Sequence, residues 1–138
     1  MYFEIERDIA ASPHKLWSVL IDAPTLADGT FGIDKIEGEI APGARLRVWS
    51  HAAPDRAFAL RVVRFVKDRE MVWTGGMPLG LFTGTRVFTL TPINKGTRFK
   101  MREDYSGPMV GLIGKSMPDL NPSFRQFADG LARAAKEL

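Results

Sequence analysis

Three groups of residues in this chain have types and spacing that could carry chemistry. Gly114-Lys115-Ser116 has the order that ends a phosphate-binding loop, in which backbone N–H groups and a lysine hold a nucleotide. His14 and His51 are the only histidines, so any imidazole-based proton transfer or metal binding would have to use them. Arg86 and Glu103 are opposite charges that interrupt stretches of alternating apolar residues.

The residues around Gly114 argue against a nucleotide site. A phosphate loop needs a glycine five residues earlier, because its first turn takes backbone angles that only glycine adopts easily, and that position is Met109. The loop also belongs to a parallel βαβ unit, and the chain that follows has room for one helix and little more. We therefore interpret the motif as part of a helix. The two histidines lie in a first helical turn and at a strand end, where we expect surface roles.

Composition limits the remaining function classes. With 138 residues, 45% hydrophobic and 25% charged, the chain predicts one domain over residues 1–138. It has no cysteine, which excludes disulfides, thiol catalysis and cysteine zinc sites and is typical of a reducing cytoplasm. A net charge of +3 is too small to indicate nucleic-acid binding by itself. We expect a cytoplasmic monomer or weak dimer without a signal peptide, transmembrane segment, metal or cofactor.

The elements that position these residues follow from periodicity. Phe3, Ile5 and Ile9 alternate with acidic residues and predict a half-buried first strand. Ser12 and Pro13 are a good N-cap and first position for a short helix, and a second short helix and a turn are expected after it. A period of two then continues to Tyr105, broken by hairpin-length turns. It predicts antiparallel strands at Gly32–Ile40, Ala44–His51, Ala57–Lys67, Glu70–Gly75, Phe82–Thr91 and Thr97–Tyr105.

The pattern changes to a helical period after Gly107. Pro108 can start a helix that runs to about Ser116, and Asn121 and Pro122 predict the N-cap and first position of a longer one. The longer helix carries an apolar stripe of Phe124, Phe127, Ala128, Leu131, Ala134 and Leu138. The sequence thus predicts an α+β fold, in which a curved antiparallel sheet of about seven strands wraps around a C-terminal helix. We expect the space that this helix cannot fill to form a cavity.

Parity places the two charges on the inner face of this sheet. In Phe82–Leu90 the even-numbered residues are mostly apolar and the odd-numbered ones mostly threonine, so the even-numbered side chains, Arg86 among them, face inward. In the next strand Phe99, Met101 and Glu103 alternate in the same way and lie on one face. A turn centred on Asn94-Lys95 sets Arg86 directly opposite Glu103, within cross-strand reach. Such a pair is either a structural ion pair or a polar anchor for a ligand, and both interpretations stay open.

Several stretches along the whole chain form a recognisable series: Ile9–Pro13 with Trp17, Leu20 and Asp22, the Gly38…Pro42-Gly43 hairpin, Phe58–Val63, Gly96–Phe99, WTGGMPLGLFTGTRVFTLTP and MPDLNPSFRQFADGL. In these residues and in their order the chain resembles the START-like, or SRPBCC, superfamily with the helix-grip fold, in an uncharacterised bacterial branch of its polyketide cyclase/dehydrase-like proteins. The resemblance implies a hydrophobic ligand cavity, although members range from carriers to cyclases and protein-binding domains. No acid–base constellation of the enzymatic branches is present, and Phe31 stands near the place where many members have tryptophan.

We therefore predict that the chain binds a small hydrophobic or amphipathic molecule between the sheet and the C-terminal helix. Glu103 is the one candidate general base, and Arg86 beside it favours binding over catalysis. The glycine-flanked loop around Met77 is either a gate to the cavity or a wide hairpin. The predicted ligand-binding residues are Phe58, Leu60, Trp73, Met77, Phe82, Arg86, Phe88, Met101, Glu103, Tyr105, Met109, Ile113 and Met117.

The alternative is a protein-, membrane- or RNA-binding module that acts through the outer, convex face of the sheet. Six basic residues point outward by parity, and the family's topology would set Glu4, Glu6 and Asp8 of the first strand against three of them. The outer face lacks stacking aromatics other than Trp49, so nucleic acid is not an expected partner. The six residues are Arg45, Arg47, Arg61, Arg98, Lys100 and Arg102.

Overall fold

The computed structural model describes all 138 residues of the chain. It contains seven strands, four α-helices and two short 3₁₀ turns, at Pro78–Gly80 and Gly114–Ser116. The strands are β1 Tyr2–Ile9, β2 Ile33–Glu37, β3 Arg45–Ser50, β4 Ala57–Val66, β5 Glu70–Gly76, β6 Thr83–Ile93 and β7 Gly96–Ser106. The helices are α1 Pro13–Leu20, α2 Ala23–Leu26, α3 Val110–Ile113 and α4 Asn121–Lys136.

All seven strands form one antiparallel sheet in the order β1-β7-β6-β5-β4-β3-β2. Strands β2 to β7 are consecutive neighbours because their short connections allow only hairpins. Strand β1 joins the far edge beside β7, as the resemblance implied. The predicted α+β architecture is confirmed, and each predicted strand end lies within three residues of the observed one. The largest difference is in β2, which ends at Glu37 because Gly38 turns the chain with φ of +108°.

The helices begin at residues whose chemistry favours a helix start. The Ser12 side chain accepts a hydrogen bond of 3.2 Å from the Lys15 N–H, as predicted for an N-cap. For α4 the predicted cap is one residue too late, because Asn121 already lies in the helix and Leu120 occupies the cap position. The Asn121 side chain instead donates to the Asp119 carboxylate at 2.8 Å.

The helix predicted from Pro108 to about Ser116 is shorter than expected. The chain forms the four-residue α3 at Val110–Ile113, and Gly114–Ser116 continues as a 3₁₀ turn. Since every strand pairing is antiparallel, the Gly-Lys-Ser motif does not follow a parallel strand as a phosphate loop does. No helix of the chain combines the length and the apolar composition needed to cross a membrane.

Helix α4 packs its apolar stripe against the inner face of the sheet. Phe127 is 1% exposed, and its ring centroid lies 5.4 Å from Phe31, 5.7 Å from Phe88 and 6.0 Å from Phe99. Two cavities of about 610 and 270 Å³ lie elsewhere, on the outer face of the sheet and between α1 and the end of α4. Three phenylalanines of the sheet and turn reach α4 from different sides, so close aromatic packing occupies part of the space in which a cavity was expected.

Candidate functional site

One row of side chains crosses the inner face of the sheet and contains both predicted charges. Val62 of β4 faces Trp73 of β5, Trp73 faces Arg86 of β6, Arg86 faces Glu103 of β7, and Glu103 faces Phe3 of β1. The predicted hairpin register is therefore confirmed. The row sets a charged pair between two large aromatic side chains.

The two charges form a partly buried ion pair. The Arg86 Nη2 atom donates to Glu103 Oε2 at 3.1 Å, and the side chains are 19% and 15% exposed. The Tyr105 hydroxyl donates to the same oxygen at 2.6 Å. The Arg86 guanidinium also lies 5.0 Å from the ring centroid of Phe124 on α4, a distance that allows a cation–π interaction. These contacts hold the pair in one position.

Burial fixes the protonation of the tyrosine in this group. Burial raises the pKa of Tyr105 far above its usual value, and the neighbouring Glu103 carboxylate raises it further because a phenolate there would face a second negative charge. The Tyr105 hydroxyl therefore keeps its proton and acts as a hydrogen-bond donor at neutral pH.

Several polar atoms in the row have no protein partner. Arg86 Nε and Trp73 Nε1 are buried without hydrogen-bond acceptors. Both hydrogen bonds to Glu103 go to Oε2. Its Oε1 atom lies 3.8 Å from the position that a Cβ atom would take at Gly84. Trp73 lies in the core, whereas Arg86 and Glu103 lie at the open end of the inner face. Since unpaired buried N–H groups cost free energy, Arg86 Nε and Glu103 Oε1 are one donor and one acceptor for a bound polar group at this end.

The next row along the sheet has no side chains at its centre. Gly75 of β5 faces Gly84 of β6, with Leu60 beside Gly75 and Tyr105 beside Gly84. A Cβ atom at Gly75 would lie 2.7 Å from Leu60 Cδ2, and one at Gly84 would lie 3.3 Å from Tyr105 Cε1. The two glycines thus let Leu60 and Tyr105 lie flat over the sheet. Beyond this row Phe58 is 40% exposed, so the inner face opens to solvent at this end.

The predicted ligand-binding residues separate into three groups. Trp73, Phe88 and Met101 are buried in the core. Six residues lie at the open end of the inner face, where Phe82 stacks on Tyr105 at 5.5 Å between ring centroids. Met77, Met109, Ile113 and Met117 lie in the turns beside that end and are half-buried or exposed. The six open-end residues are Phe58, Leu60, Phe82, Arg86, Glu103 and Tyr105.

Two side chains at this end were missed by the sequence reasoning. The Phe3 ring lies 6.3 Å from that of Tyr105 and 6.0 Å from that of Phe124. Phe3 alternates with acidic residues and could have been placed on the inner face, but its position beside Glu103 depends on the pairing of β1 with β7. Phe124 was assigned to the helix stripe, and its contact with Arg86 depends on how α4 crosses the sheet.

The histidines lie apart from this end, as predicted. His14 Nδ1 is 3.2 Å from Asp68, and His51 Nδ1 is 3.1 Å from Asp34, in both cases at the surface. No group of three or more histidine and carboxylate side chains has an arrangement that could hold a metal ion.

The comparisons with known proteins agree with the fold. Residues 2–136 match the family model described as polyketide cyclase / dehydrase and lipid transport. No curated protein sequence matches the chain.

Solved structures with the same fold include protein MLL2253 from Mesorhizobium loti, with a TM-score of 0.76 and 19% identity over 99% of this chain and 98% of that one. Norcoclaurine synthase from Thalictrum flavum matches with a TM-score of 0.73 and 16% identity, over 99% of this chain and 87% of the synthase. The di-domain ARO/CYC protein StfQ of the steffimycin biosynthetic pathway matches with a TM-score of 0.69 and 16% identity, and this chain spans 49% of the length of StfQ. With its family model matched over nearly the whole length, the chain belongs to the polyketide cyclase/dehydrase and lipid transport family.

Proposed function

We propose that this protein binds a small hydrophobic molecule across the open end of the inner sheet face, with a polar group of that molecule at Arg86 and Glu103. Membership of a polyketide cyclase/dehydrase and lipid transport family supports a role of this class. The similar norcoclaurine synthase structure is a complex with dopamine and hydroxybenzaldehyde.

The observation that carries the proposal is the charged pair within an apolar surface. A pair that is only 19% and 15% exposed gains less from Coulomb attraction than it loses in hydration, unless all its polar atoms are satisfied. Here Arg86 Nε is buried without an acceptor. A ligand oxygen beside it would satisfy that donor, whereas a purely structural pair leaves it unpaired.

The charges favour a neutral hydroxyl as the ligand's polar group. Arg86 is already neutralised by Glu103 at 3.1 Å, so a ligand carboxylate would meet a negative charge without a free cation. A hydroxyl can donate to the free Oε1 atom of Glu103 and accept from the arginine. Phe58, Leu60 and Phe82 supply the apolar contact surface beside the pair.

Binding is better supported than catalysis. A general base must lie within hydrogen-bond reach of the proton that it removes, but Glu103 Oε2 is already occupied by the Arg86 guanidinium and the Tyr105 hydroxyl. A cyclase-like reaction would have to use Tyr105 as a proton donor instead, and its raised pKa makes proton release unfavourable.

Three aromatic probes that share the naphthalene ring system test the proposal by isothermal titration calorimetry. We expect 2-naphthol to bind about tenfold or more tightly than naphthalene, since a hydrogen bond to a charged group contributes roughly 1.5–3 kcal/mol. We expect 2-naphthoate to bind more weakly than 2-naphthol. The Arg86→Met/Glu103→Leu variant should bind naphthalene and 2-naphthol equally.

An outer-face variant serves as the matched control. Arg98→Met removes the same type of charge from an exposed pair with Asp8 and should leave the order of the three affinities unchanged. Equal binding of naphthalene and 2-naphthol to the unmodified chain would contradict the anchor role. A stable double variant that still distinguishes the two probes would do the same.

A further inference from the structure

An open cavity lies on the outer face of the sheet, opposite the proposed ligand site. It is an open groove of about 610 Å³ that crosses β2 to β5. Arg45, Arg47 and Arg61 border it, and Ala59 and Thr74 lie between them. In the sheet register Arg47 faces Ala59, and Arg61 faces both Arg45 and Thr74, so short side chains leave the space between the guanidinium groups.

The positive charge of this groove is not neutralised by the fold. Arg45 and Arg61 are directly opposite on neighbouring strands, and neither takes part in any of the twelve ion pairs of the chain. Like charges at such positions repel each other and destabilise the sheet. Glu37 is the one carboxylate that borders the groove, and it already pairs with Arg47 at 3.5 Å and with Lys35 at 3.7 Å.

The other half of the same face is neutralised. Arg98 contacts Asp8 at 2.9 Å, Arg102 contacts Glu4 at 3.2 Å, and Lys100 contacts Glu4 at 3.5 Å. The hydrogen bond from Arg98 lowers the pKa of the Asp8 carboxyl below its usual value. The first strand therefore neutralises the basic row of β7, whereas no strand or loop does so for Arg45 and Arg61.

We infer that this groove docks an acidic segment of a partner protein, whose carboxylates bind between Arg45 and Arg61. Guanidinium groups bind carboxylates in paired hydrogen bonds, and a segment in the groove would remove the repulsion between the two arginines. This surface is independent of the proposed ligand site because the two lie on opposite faces of the sheet.

The charge distribution disfavours the other polyanions. A flat anionic membrane or an extended nucleic acid would also cover the β1–β7 half, where it would meet Glu4, Glu6 and Asp8. Trp49 is the aromatic side chain on this face next to the groove, and it is occupied by Lys35 at 5.0 Å and Arg47 at 5.3 Å. Its ring is already in contact with these two cations, which compete with a base for stacking. A narrow acidic segment fits the groove without reaching the acidic half.

The test uses a fluorescein-labelled peptide of alternating glutamate and serine, with binding followed by fluorescence anisotropy at low salt. We expect saturable binding that weakens as salt is added. Arg45→Gln/Arg61→Gln should weaken it about tenfold or more. Arg98→Gln/Lys100→Gln removes equal charge from the neutralised half of the face and should leave the affinity within about twofold.

Three results would overturn the inference. Equal weakening in both double variants would mean that the peptide responds to net charge alone. Tighter binding of an oligouridine RNA of the same length, or of phosphatidylserine vesicles, would assign the face to another class of partner. Absence of saturable binding to the unmodified chain at low salt would exclude an acidic-peptide site. Thermal unfolding of Arg45→Glu gives a further check, since the new carboxylate faces Arg61 and should leave the chain at least as stable while binding is lost.

Discussion

Replacing Glu103 by leucine removes the acceptor of two hydrogen bonds and leaves the Arg86 charge without a partner. The broken contacts are the 3.1 Å bond from Arg86 and the 2.6 Å bond from Tyr105. Breaking a buried ion pair by removing one partner typically costs about 3–5 kcal/mol. Since Arg86 remains 19% exposed, part of its charge can be rehydrated, and we expect the lower end, about 3 kcal/mol.

This loss is large enough to measure by thermal unfolding. For a chain of this length, about 3 kcal/mol corresponds to a decrease in Tm of roughly 10 °C. Adding Arg86→Met removes the unpaired charge and should restore most of the decrease, because an apolar pair of similar volume often replaces a buried ion pair without loss. The four proteins of the double-mutant cycle give the coupling free energy between the two side chains.

The control for this cycle is Asp8→Leu, which removes the partner of Arg98 from an exposed pair on the outer face. It should change Tm little, since exposed ion pairs contribute little to stability. If Glu103→Leu lowers Tm no more than this control does, then Arg86 is not held in a low-dielectric site. The inner-face anchor would then lack its physical basis.

Three further changes test other parts of the structure. Phe127→Ala should lower the free energy of unfolding by about 3–5 kcal/mol in denaturant titrations, and a change below about 1 kcal/mol would show that α4 does not fill the sheet. Because the folded-state pKa of Tyr105 is raised, the unfolded chain releases this proton near pH 10 and the folded chain does not. Stability should therefore fall as the pH rises above about 10, less steeply in Tyr105→Phe, and identical pH slopes in chemical denaturation would contradict the burial of this phenol. Lys115→Ala should change neither stability nor binding of 2-naphthol, and ATP binding by the unmodified chain that this variant abolishes would restore the phosphate-loop interpretation.

Parity and turn chemistry were sufficient to predict the most informative part of the site. Strict alternation in β6 and β7 assigned Arg86 and Glu103 to the inner face, and one hairpin turn set their register. These are local properties, since each depends on residues close together in the chain. The strand order of the meander followed from short connections in the same way.

The features that could not be predicted depend on distant parts of the chain. Part of the space in which a cavity was expected is occupied because α4 brings Phe124 and Phe127 against aromatic side chains from three other segments. Gly75 and Gly84 are among the glycines that flank the loop around Met77, which the sequence predicted to be either a gate or a wide hairpin. Their pairing in one row of the sheet could not be predicted, and it leaves the inner face without side chains at that point. The outer groove depends on the registry of β3 with β4, in which Arg45 meets Arg61. The alternation of residues along the strands predicted that Arg45 and Arg61 lie on the outer face of the sheet. It did not predict that these two arginines would lack a carboxylate partner.

The location of the ligand site is tested most directly by two-dimensional NMR of the ¹⁵N-labelled chain during titration with 2-naphthol. Two cavities outside the inner face give clear alternatives, one at the outer groove around Arg45 and Arg61, and one of about 270 Å³ between α1 and the end of α4, near Ser18. We expect amide shifts to concentrate at Phe82, Gly84 and neighbouring residues of β7. Shifts that cluster at either cavity instead, with the inner face unchanged, would contradict it.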